Sequence, residues 1–278
     1  MGGLRFFVLG ELRVNRAPGG QPVPLPASAA AVLAYLLCVR RTVPRDTLAG
    51  TLWAKLPDVR ARRCLSTALW RLNQALGTGA CLVASRAEVG VDLDGHWLDL
   101  AEFLRLTGPV VAHPFHAVSF EQGTRAEAGL ALYTGDLLAG WDAPWVDLER
   151  ESARRRRHGT LETLTRFYAY YGMCERALAA ALRLLDEDPL REDVHRHVMR
   201  IHLEAGRRGL AFLQFERCRD ALHEQLDATP DHETLRLAEQ ARLPDPAHLP
   251  AGPDDSRLAA TVDRLERCVD RLERLLKG

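Results

Sequence analysis

Residues 60–76, RARRCLSTALWRLNQAL, are the most informative segment of the N-terminal part of the chain. Its apolar stripe consists of four leucines that recur every three or four residues: Leu65, Leu69, Leu72 and Leu76. This spacing is typical of a helix that buries one face. The opposite face carries arginines, hydroxyl groups and amides, so the stretch predicts an amphipathic helix with an exposed basic side.

The segments on either side of this helix predict two further helices and several short strands. In chain order, the expected elements are a strand over 4–14, a turn over 15–21, a short strand over 23–25, a buried helix over 28–40, a helix that begins near Pro44, the helix over 60–76, and a β-hairpin over 81–84 and 88–93. Strands, three helices and a hairpin in this order are typical of a winged helix, whose third helix can enter a DNA groove.

From about residue 99 the pattern becomes helical. Helices are expected over 99–107, 119–134, 145–172, 175–187, 191–205, 208–226 and 231–241. A period of 34 residues runs through this part, since Gly172 recurs as Gly206 and Ala177 as Ala211. Small residues at this period are typical of tetratricopeptide repeats, in which paired helices approach closely. The predicted fold class is therefore mainly α with a small β part, with a winged helix first and a tetratricopeptide-like helical domain second.

The end of the chain predicts an extended linker and a coiled-coil helix. Residues 244–255 are rich in proline and show no periodic pattern. In residues 256–278, six apolar residues repeat at heptad spacing: Leu258, Val262, Leu265, Val269, Leu272 and Leu276. Valine at the a positions and leucine at the d positions favour a parallel two-stranded coiled coil, so we expect a homodimer. The alternative is that this helix packs back on its own chain.

Composition and charge limit the function classes. The 278 residues carry 37 basic and 37 acidic side chains, yet residues 1–100 hold 12 Lys and Arg against 7 Asp and Glu. This basic excess indicates a polyanionic partner for the N-terminal part. No apolar run is long enough to span a membrane. We also expect no signal peptide, reduced cysteines and a cytoplasmic, nucleoid-associated protein.

The sequence does not indicate a catalytic, metal or cofactor site. It contains no nucleophile elbow, no H-E-x-x-H stretch and no glycine-rich phosphate loop. Its ten histidines and six cysteines lack the spacing of zinc ligands. We therefore expect a protein that is not an enzyme and that uses no cofactor and no metal. The run from Arg154 to Arg157 covers all sides of a helix, which favours a solvated, salt-bridged interpretation over a basic binding patch.

Five stretches carry a resemblance to a known family: VPRDTLAGTLW (43–53), RRCLSTALWRLNQALG (62–77), AGWDAPWVDLERE (139–151), DPLREDVHRHVMR (188–200) and AGRRGLAFLQFERCRDALHEQL (205–226). With them, residues 1–99 resemble the OmpR-type winged-helix domain, and residues 100–243 resemble the bacterial transcriptional activator domain. This pair is the architecture of the SARP group of antibiotic regulatory proteins, which the chain therefore resembles. The resemblance implies an activator that binds direct repeats in double-stranded DNA near promoters and contacts RNA polymerase holoenzyme.

The helix over 60–76 and the hairpin supply the expected DNA contacts: Arg60, Arg62, Arg63, Ser66, Thr67, Trp70, Arg71, Asn73, Gln74 and Arg86. By the family's pattern, Thr67 and Arg71 fall at base-contacting positions. Thr67 can touch a thymine methyl, and Arg71 can bind guanine through two hydrogen bonds. Asn73 and Gln74 can read adenine or contact the backbone, and the remaining arginines suit phosphates. The alternative is an amphipathic helix whose polar face is merely solvated.

The sequence departs from the family at residues 70–74. Relatives carry S-R-L-R-[RK] where this chain has W-R-L-N-Q, so amides replace two cations and Trp70 replaces a small serine. Fewer cations predict weaker nonspecific DNA binding with a shallower salt dependence. Trp70 can stack on a sugar, fill a partner surface or pack against the wing, and we favour packing. A second hypothesis is a protein-interaction adaptor, whose winged helix no longer reads DNA and which acts through its helical domain and coiled-coil tail.

Overall fold

The computed structural model of the chain describes residues 3–77 and 81–242. The predicted linker, 244–255, and the predicted coiled-coil tail, 256–278, lie outside these ranges. The chain divides into two compact units, Met1–His197 and Val198–Gly278. None of the helices in the described ranges has both the length and the hydrophobicity that are needed to cross a bilayer.

Short strands and longer helices alternate in the first part of the described chain, and helices follow. The strands are β1 (Leu4–Phe7), β2 (Arg13–Arg16), β3 (Gln21–Pro22), β4 (Val43–Pro44), β5 (Leu82–Ala84), β6 (Glu88–Val91) and β7 (Trp97–Leu98). The helices are α1 (Ala27–Val39), α2 (Arg45–Leu52), α3 (Asp58–Leu76), α4 (Asp99–Ala112), α5 (Phe120–Ala131), α6 (Pro144–Tyr170), α7 (Cys174–Glu187), α8 (Glu192–Glu204), α9 (Arg208–Leu226) and α10 (His232–Arg242).

A four-stranded sheet in the order β3-β2-β1-β7 opens the first unit. β1 and β2 are antiparallel, with Leu4 opposite Arg16. Two predictions are wrong. Residues 4–14 form β1 and the beginning of β2 rather than one strand, and the turn covers residues 17–20 rather than 15–21. Gly10 adopts a φ of +128°, which L side chains rarely adopt, and it lies between β1 and β2 where the chain reverses.

Three helices and a hairpin complete the winged helix, as the sequence predicted. α1 is buried, and its residues Leu33, Leu36 and Leu37 are fully enclosed. α3 packs against α1 and α2, and its four-leucine stripe is buried. The hairpin β5–β6 joins β4 in a second sheet of order β4-β6-β5. Burial of each leucine contributes roughly 1.5–3 kcal/mol, which fixes α3 on the core and leaves its polar face outward.

The rest of the first unit is helical. α4 packs on α5, and α6 packs on both α7 and α4. α5 begins at a capping box in which Ser119 and Gln122 satisfy each other's backbone N–H groups. α6 begins with Pro144, whose missing N–H suits the first turn of a helix. The predicted fold class, mainly α with a small β part, is confirmed.

Buried hydrogen bonds tie this helical part to the first sheet. Asp99, the first residue of α4, accepts hydrogen bonds from the backbone N–H groups of Val8 and Leu9. The Leu138 N–H donates to the Val8 carbonyl at 2.8 Å, and Thr134 Oγ1 donates to the Leu9 carbonyl at 2.7 Å. The winged helix and the helices up to residue 197 therefore belong to one compact unit.

The 34-residue period of the sequence corresponds to a repeated backbone turn. Gly172 adopts a φ of 69° and Gly206 a φ of 70°, each just before a helix begins. Five residues after each glycine comes an alanine, Ala177 or Ala211, with no exposed surface. The recurrence of the turn and of the buried alanine confirms the tetratricopeptide-like character of this part.

The second unit, as far as it is described, contains the end of α8 together with α9 and α10. Its small core is built from Met199, Phe215, Leu237 and Ala238. Arg200 forms an ion pair with Glu233 on the surface of this unit. α9 and α10 pack against each other around this core.

Candidate nucleic-acid interface

The site is the exposed face of α3. α3 follows Pro57 and ends at Gly77, whose φ of 96° stops the helix. Because the leucine stripe is buried on the opposite side, the predicted contact residues of α3 share one outward face. The exposed members are Arg60, Arg62, Arg63, Ser66, Thr67, Trp70, Arg71 and Gln74, whereas Asn73 is half-buried.

The arginines of this face differ in their pairing. Arg60, Arg63 and Arg71 are exposed, and none of them forms an ion pair within the described part of the chain. Arg62 donates two hydrogen bonds to Asp46 of α2, at 2.7 and 3.0 Å. Both partners are more than half exposed. Such a surface pair contributes only about 0–1 kcal/mol, so a phosphate can compete with Asp46 for Arg62.

The two hydroxyl groups of the face point back to the helix. Ser66 Oγ donates to the Arg62 carbonyl at 3.0 Å, and Thr67 Oγ1 donates to the Arg63 carbonyl at 3.1 Å. These bonds occupy the hydroxyl protons. What Thr67 offers a partner is therefore its methyl group and an acceptor oxygen. The face is less rich in donors than its sequence suggests.

Trp70 does not pack into the core. Its side chain is 63 % exposed, so the packing that the sequence favoured is wrong. The leucine stripe occupies the side of α3 that faces the core, so the Trp70 indole lies on the outward face. Val59 lies on the same face about three turns earlier and is also exposed. The centre of the face therefore combines apolar groups with arginines.

The wing is held close to α2. In its turn, Ser85 Oγ accepts hydrogen bonds from the N–H groups of Ala87 and Glu88, at 3.2 and 2.9 Å. Arg45, the first residue of α2, donates from its side chain to the Ser85 carbonyl and from its backbone to the Ala87 carbonyl. Arg86 is exposed in this turn. The turn that carries Arg86 is thus held by its own Ser85 and by Arg45 of α2.

Sequence reasoning missed three residues of this surface. Asp46 was missed because it lies on a different helix from Arg62, 16 residues away. Arg45 was missed because its contact with the wing crosses 40 residues. Val59 carried a usable signal, since it precedes Arg63 by four residues and so shares its helical face. Arginine donors, a threonine methyl and an exposed indole are groups suited to phosphates and base edges.

Comparisons with known proteins agree with this architecture. The model of the bacterial transcriptional activator domain matches residues 98–242, which is more than half of the chain. Among solved structures, the chain resembles Mycobacterium tuberculosis EmbR in complex with low affinity phosphopeptide. The TM-score is 0.69 at 22 % sequence identity, and the match covers 96 % of this chain and 72 % of that chain.

At that identity the structural likeness shows the fold alone. A comparison with curated protein sequences found no significant match. The family match is the stronger finding, and it covers the three stretches of the resemblance that lie after residue 98. The chain therefore belongs to the bacterial transcriptional activator domain family and is a SARP-type transcriptional regulator.

Proposed function

We propose that this regulator binds double-stranded DNA in a sequence-specific way by placing α3 in the major groove. The observation that carries the proposal is the set of three exposed arginines on one face of α3 that have no carboxylate partner in the described chain: Arg60, Arg63 and Arg71. Exposed arginines that have no carboxylate partner on a helix of this fold are suited to phosphates and bases.

Each side chain of the face has a role in this proposal. Arg71 reads guanine through O6 and N7, and the Thr67 methyl contacts a thymine methyl. Gln74 is exposed and reads adenine, whereas Asn73 is half-buried and contacts the DNA backbone. The arginines that contact phosphates are Arg60, Arg63 and, in the wing, Arg86, with Arg62 joining them when it leaves Asp46. Ser66 serves as an acceptor.

Trp70 gives the interface a preference for thymine. A groove-facing indole cannot donate and accept hydrogen bonds as the serine of relatives does, but it offers a large apolar surface. The apolar group that the major groove presents is the C5-methyl of thymine. With Val59 and Thr67 on the same face, the helix favours sites in which guanine is flanked by thymine.

The helical domain and the tail complete the proposal. The helical domain supplies the surface for RNA polymerase holoenzyme, and the chain activates transcription from direct repeats near promoters in the cytoplasm, at the nucleoid.

The tail joins two chains into a homodimer through its heptad residues. A dimer engages two half-sites and gains affinity through effective concentration. Sedimentation of the full chain and of Leu265→Asp tests the dimer, because a charge at a d position disrupts the seam.

The deciding experiment is a gel-shift and footprint of the full chain on the promoter DNA next to its own gene. We would compare wild type with Arg71→Ala, and use Arg155→Ala as the control because Arg155 is an exposed arginine of α6 outside the α3 face. Loss of Arg71 is expected to cost about 1–3 kcal/mol of specific binding. The control is expected to bind like the wild type.

Two salt concentrations separate specific from nonspecific binding. A salt-sensitive footprint over two repeats that disappears in Arg71→Ala supports the proposal. A folded protein that selects no sequence from this promoter or from a random pool overturns it. The protein-interaction adaptor would then become the better hypothesis, and the helical domain its working part.

A further inference from the structure

A polar cavity lies in the helical part of the first unit, away from α3. Its volume is about 480 Å³. Its walls come from the segment after α5, from the middle of α6 and from the end of α7. The lining residues are Tyr133, Thr134, Gly135, Asp136, Arg154, Arg157, His158 and Glu187. Two arginines of the run predicted to be solvated and salt-bridged, Arg154 and Arg157, form ion pairs and also line this cavity.

The charged residues that line the cavity are two arginines, two carboxylates and one histidine. Arg154 is paired with Asp136, while Arg157 and His158 share the single carboxylate of Glu187. Burial, and after it the charge of Arg157, lower the pKa of His158, which is therefore neutral at pH 7. Arg183 adds a further positive charge beside Arg157. The two lining arginines thus match the two lining carboxylates in number, and Arg183 lies beside Arg157 without lining the cavity.

Two buried donors of the cavity lack an acceptor. In the described residues, neither Tyr133 Oη nor Arg157 Nε has a hydrogen-bond partner, although both atoms are enclosed. The two side chains are neighbours, since the Arg157 guanidinium lies 5.1 Å from the centre of the Tyr133 ring. Buried polar groups are normally satisfied, and unsatisfied ones commonly mark binding sites. An O–H and an N–H that lie side by side can donate to one shared acceptor, and the positive charge of the Arg157 guanidinium favours an anionic one.

We propose that this cavity binds a small anion whose carboxylate or phosphate group accepts hydrogen bonds from Tyr133 and Arg157. Charge-assisted bonds to an anion are stronger than bonds between neutral groups, and an arginine fork suits both carboxylate and phosphate. The volume admits a metabolite rather than a bare ion.

One wall of the cavity also contacts the N-terminal sheet. Thr134 Oγ1 donates to the Leu9 carbonyl, and the chain directly after Asp136 pairs with residues 9–10 through Leu137. The wall is thus fixed before an anion arrives, which lowers the entropy that binding costs. An anion in the cavity would contact the same segment that joins the helical part to the winged helix.

Calorimetric titration of the full chain tests this site. The probes are inorganic phosphate and citrate, each measured against sodium chloride at equal ionic strength. The variants are Tyr133→Phe, which removes only the hydroxyl group, and Arg157→Gln. The control is Arg155→Gln, because Arg155 is an exposed arginine two residues away on α6 and does not line the cavity.

We expect saturable binding of at least one probe by wild type and control, with a Kd that rises about tenfold or more in both cavity variants. The stronger of the two probes identifies phosphate or carboxylate as the preferred group. If Arg157→Gln fails to fold, as judged by circular dichroism, Tyr133→Phe decides. The proposal is overturned if neither probe saturates, or if Tyr133→Phe binds as tightly as wild type.

Discussion

Both carboxylate oxygens of Asp99 accept a hydrogen bond from the backbone N–H of Val8, at 3.0 and 2.9 Å. One of them also accepts from the N–H of Leu9 at 2.9 Å. All three residues are buried, and about 90 residues of chain separate the two ends of this contact. The first residue of α4 therefore fixes the end of β1, which places the helical part on the sheet of the winged helix.

Asp99→Ala is expected to destabilise the protein by about 1–3 kcal/mol, because it leaves two buried N–H groups without an acceptor. The measurement is the free energy of unfolding in urea. The matched control is Asp94→Ala. Asp94 is exposed, and in the described part of the chain its side chain forms no hydrogen bond with another helix or strand. Equal stability of the two variants would show that the Asp99 contact is energetically unimportant.

The same residue gives a pH dependence with a definite sign. Burial raises the pKa of Asp99 above its ordinary value, against the opposing effect of its backbone hydrogen bonds. The folded state therefore holds this proton more tightly than the unfolded state. As the pH falls from neutral through the folded pKa, wild type should gain stability relative to Asp99→Ala. Urea unfolding of both proteins between pH 7 and pH 4 measures the difference, and a gap that narrows on acidification would contradict it.

How far the sequence predicts this architecture depends on the range of the interactions involved. The helical spacing in residues 60–76 and the 34-residue period are local signals, and both predicted the observed elements. The position of β2 depends on its pairing with β1 after the reversal at Gly10, and β3 precedes the expected 23–25 for the same reason. Local patterns do not contain such pairings.

The candidate site shows the same difference between local and long-range interactions. The outward face of α3 follows from its leucine stripe, so the exposure of most polar residues of α3 could be predicted. The pairing of Arg62 with Asp46 joins two helices, so the local spacing of residues could not predict it. The exposure of Trp70 depends on whether the core has room for an indole, which is a property of the packed structure rather than of the sequence pattern.

Gly172→Ala and Gly206→Ala should each destabilise the protein by about 1–2 kcal/mol, because a Cβ is disfavoured at the positive φ that both residues adopt. No atom lies close enough to clash, so the cost is conformational. Gly209→Ala is the control. It lies inside α9 with open space around it and should stabilise the protein by about 0.4–1 kcal/mol. Thermal unfolding of the three variants measures these effects. A loss of stability at only one of the two turns would refute their equivalence, and a destabilised Gly209→Ala would refute the conformational explanation.

Arg63→Ala and Arg62→Ala should differ in their effect on DNA binding. Removal of a phosphate contact lowers the slope of log K against log salt by about 1, and Arg63 is free to make that contact. Arg62 must first leave Asp46, so Arg62→Ala should change the slope less. Titrations at four salt concentrations measure both slopes. A larger change in Arg62→Ala would mean that the pair with Asp46 does not persist in solution.

Trp70 should make binding depend on thymine methyl groups. Once the footprint is known, thymines in one half-site can be replaced with deoxyuridine, which lacks the C5-methyl. Loss of one buried methyl should weaken binding of wild type about fourfold, from roughly 0.8 kcal/mol per apolar carbon. Trp70→Ala should reduce the difference to the part that Thr67 contributes, whereas Trp70→Phe should keep more of it because it keeps an aromatic ring. A wild-type protein that binds thymine and deoxyuridine sites equally would remove Trp70 from base recognition while leaving the arginine contacts of α3 intact.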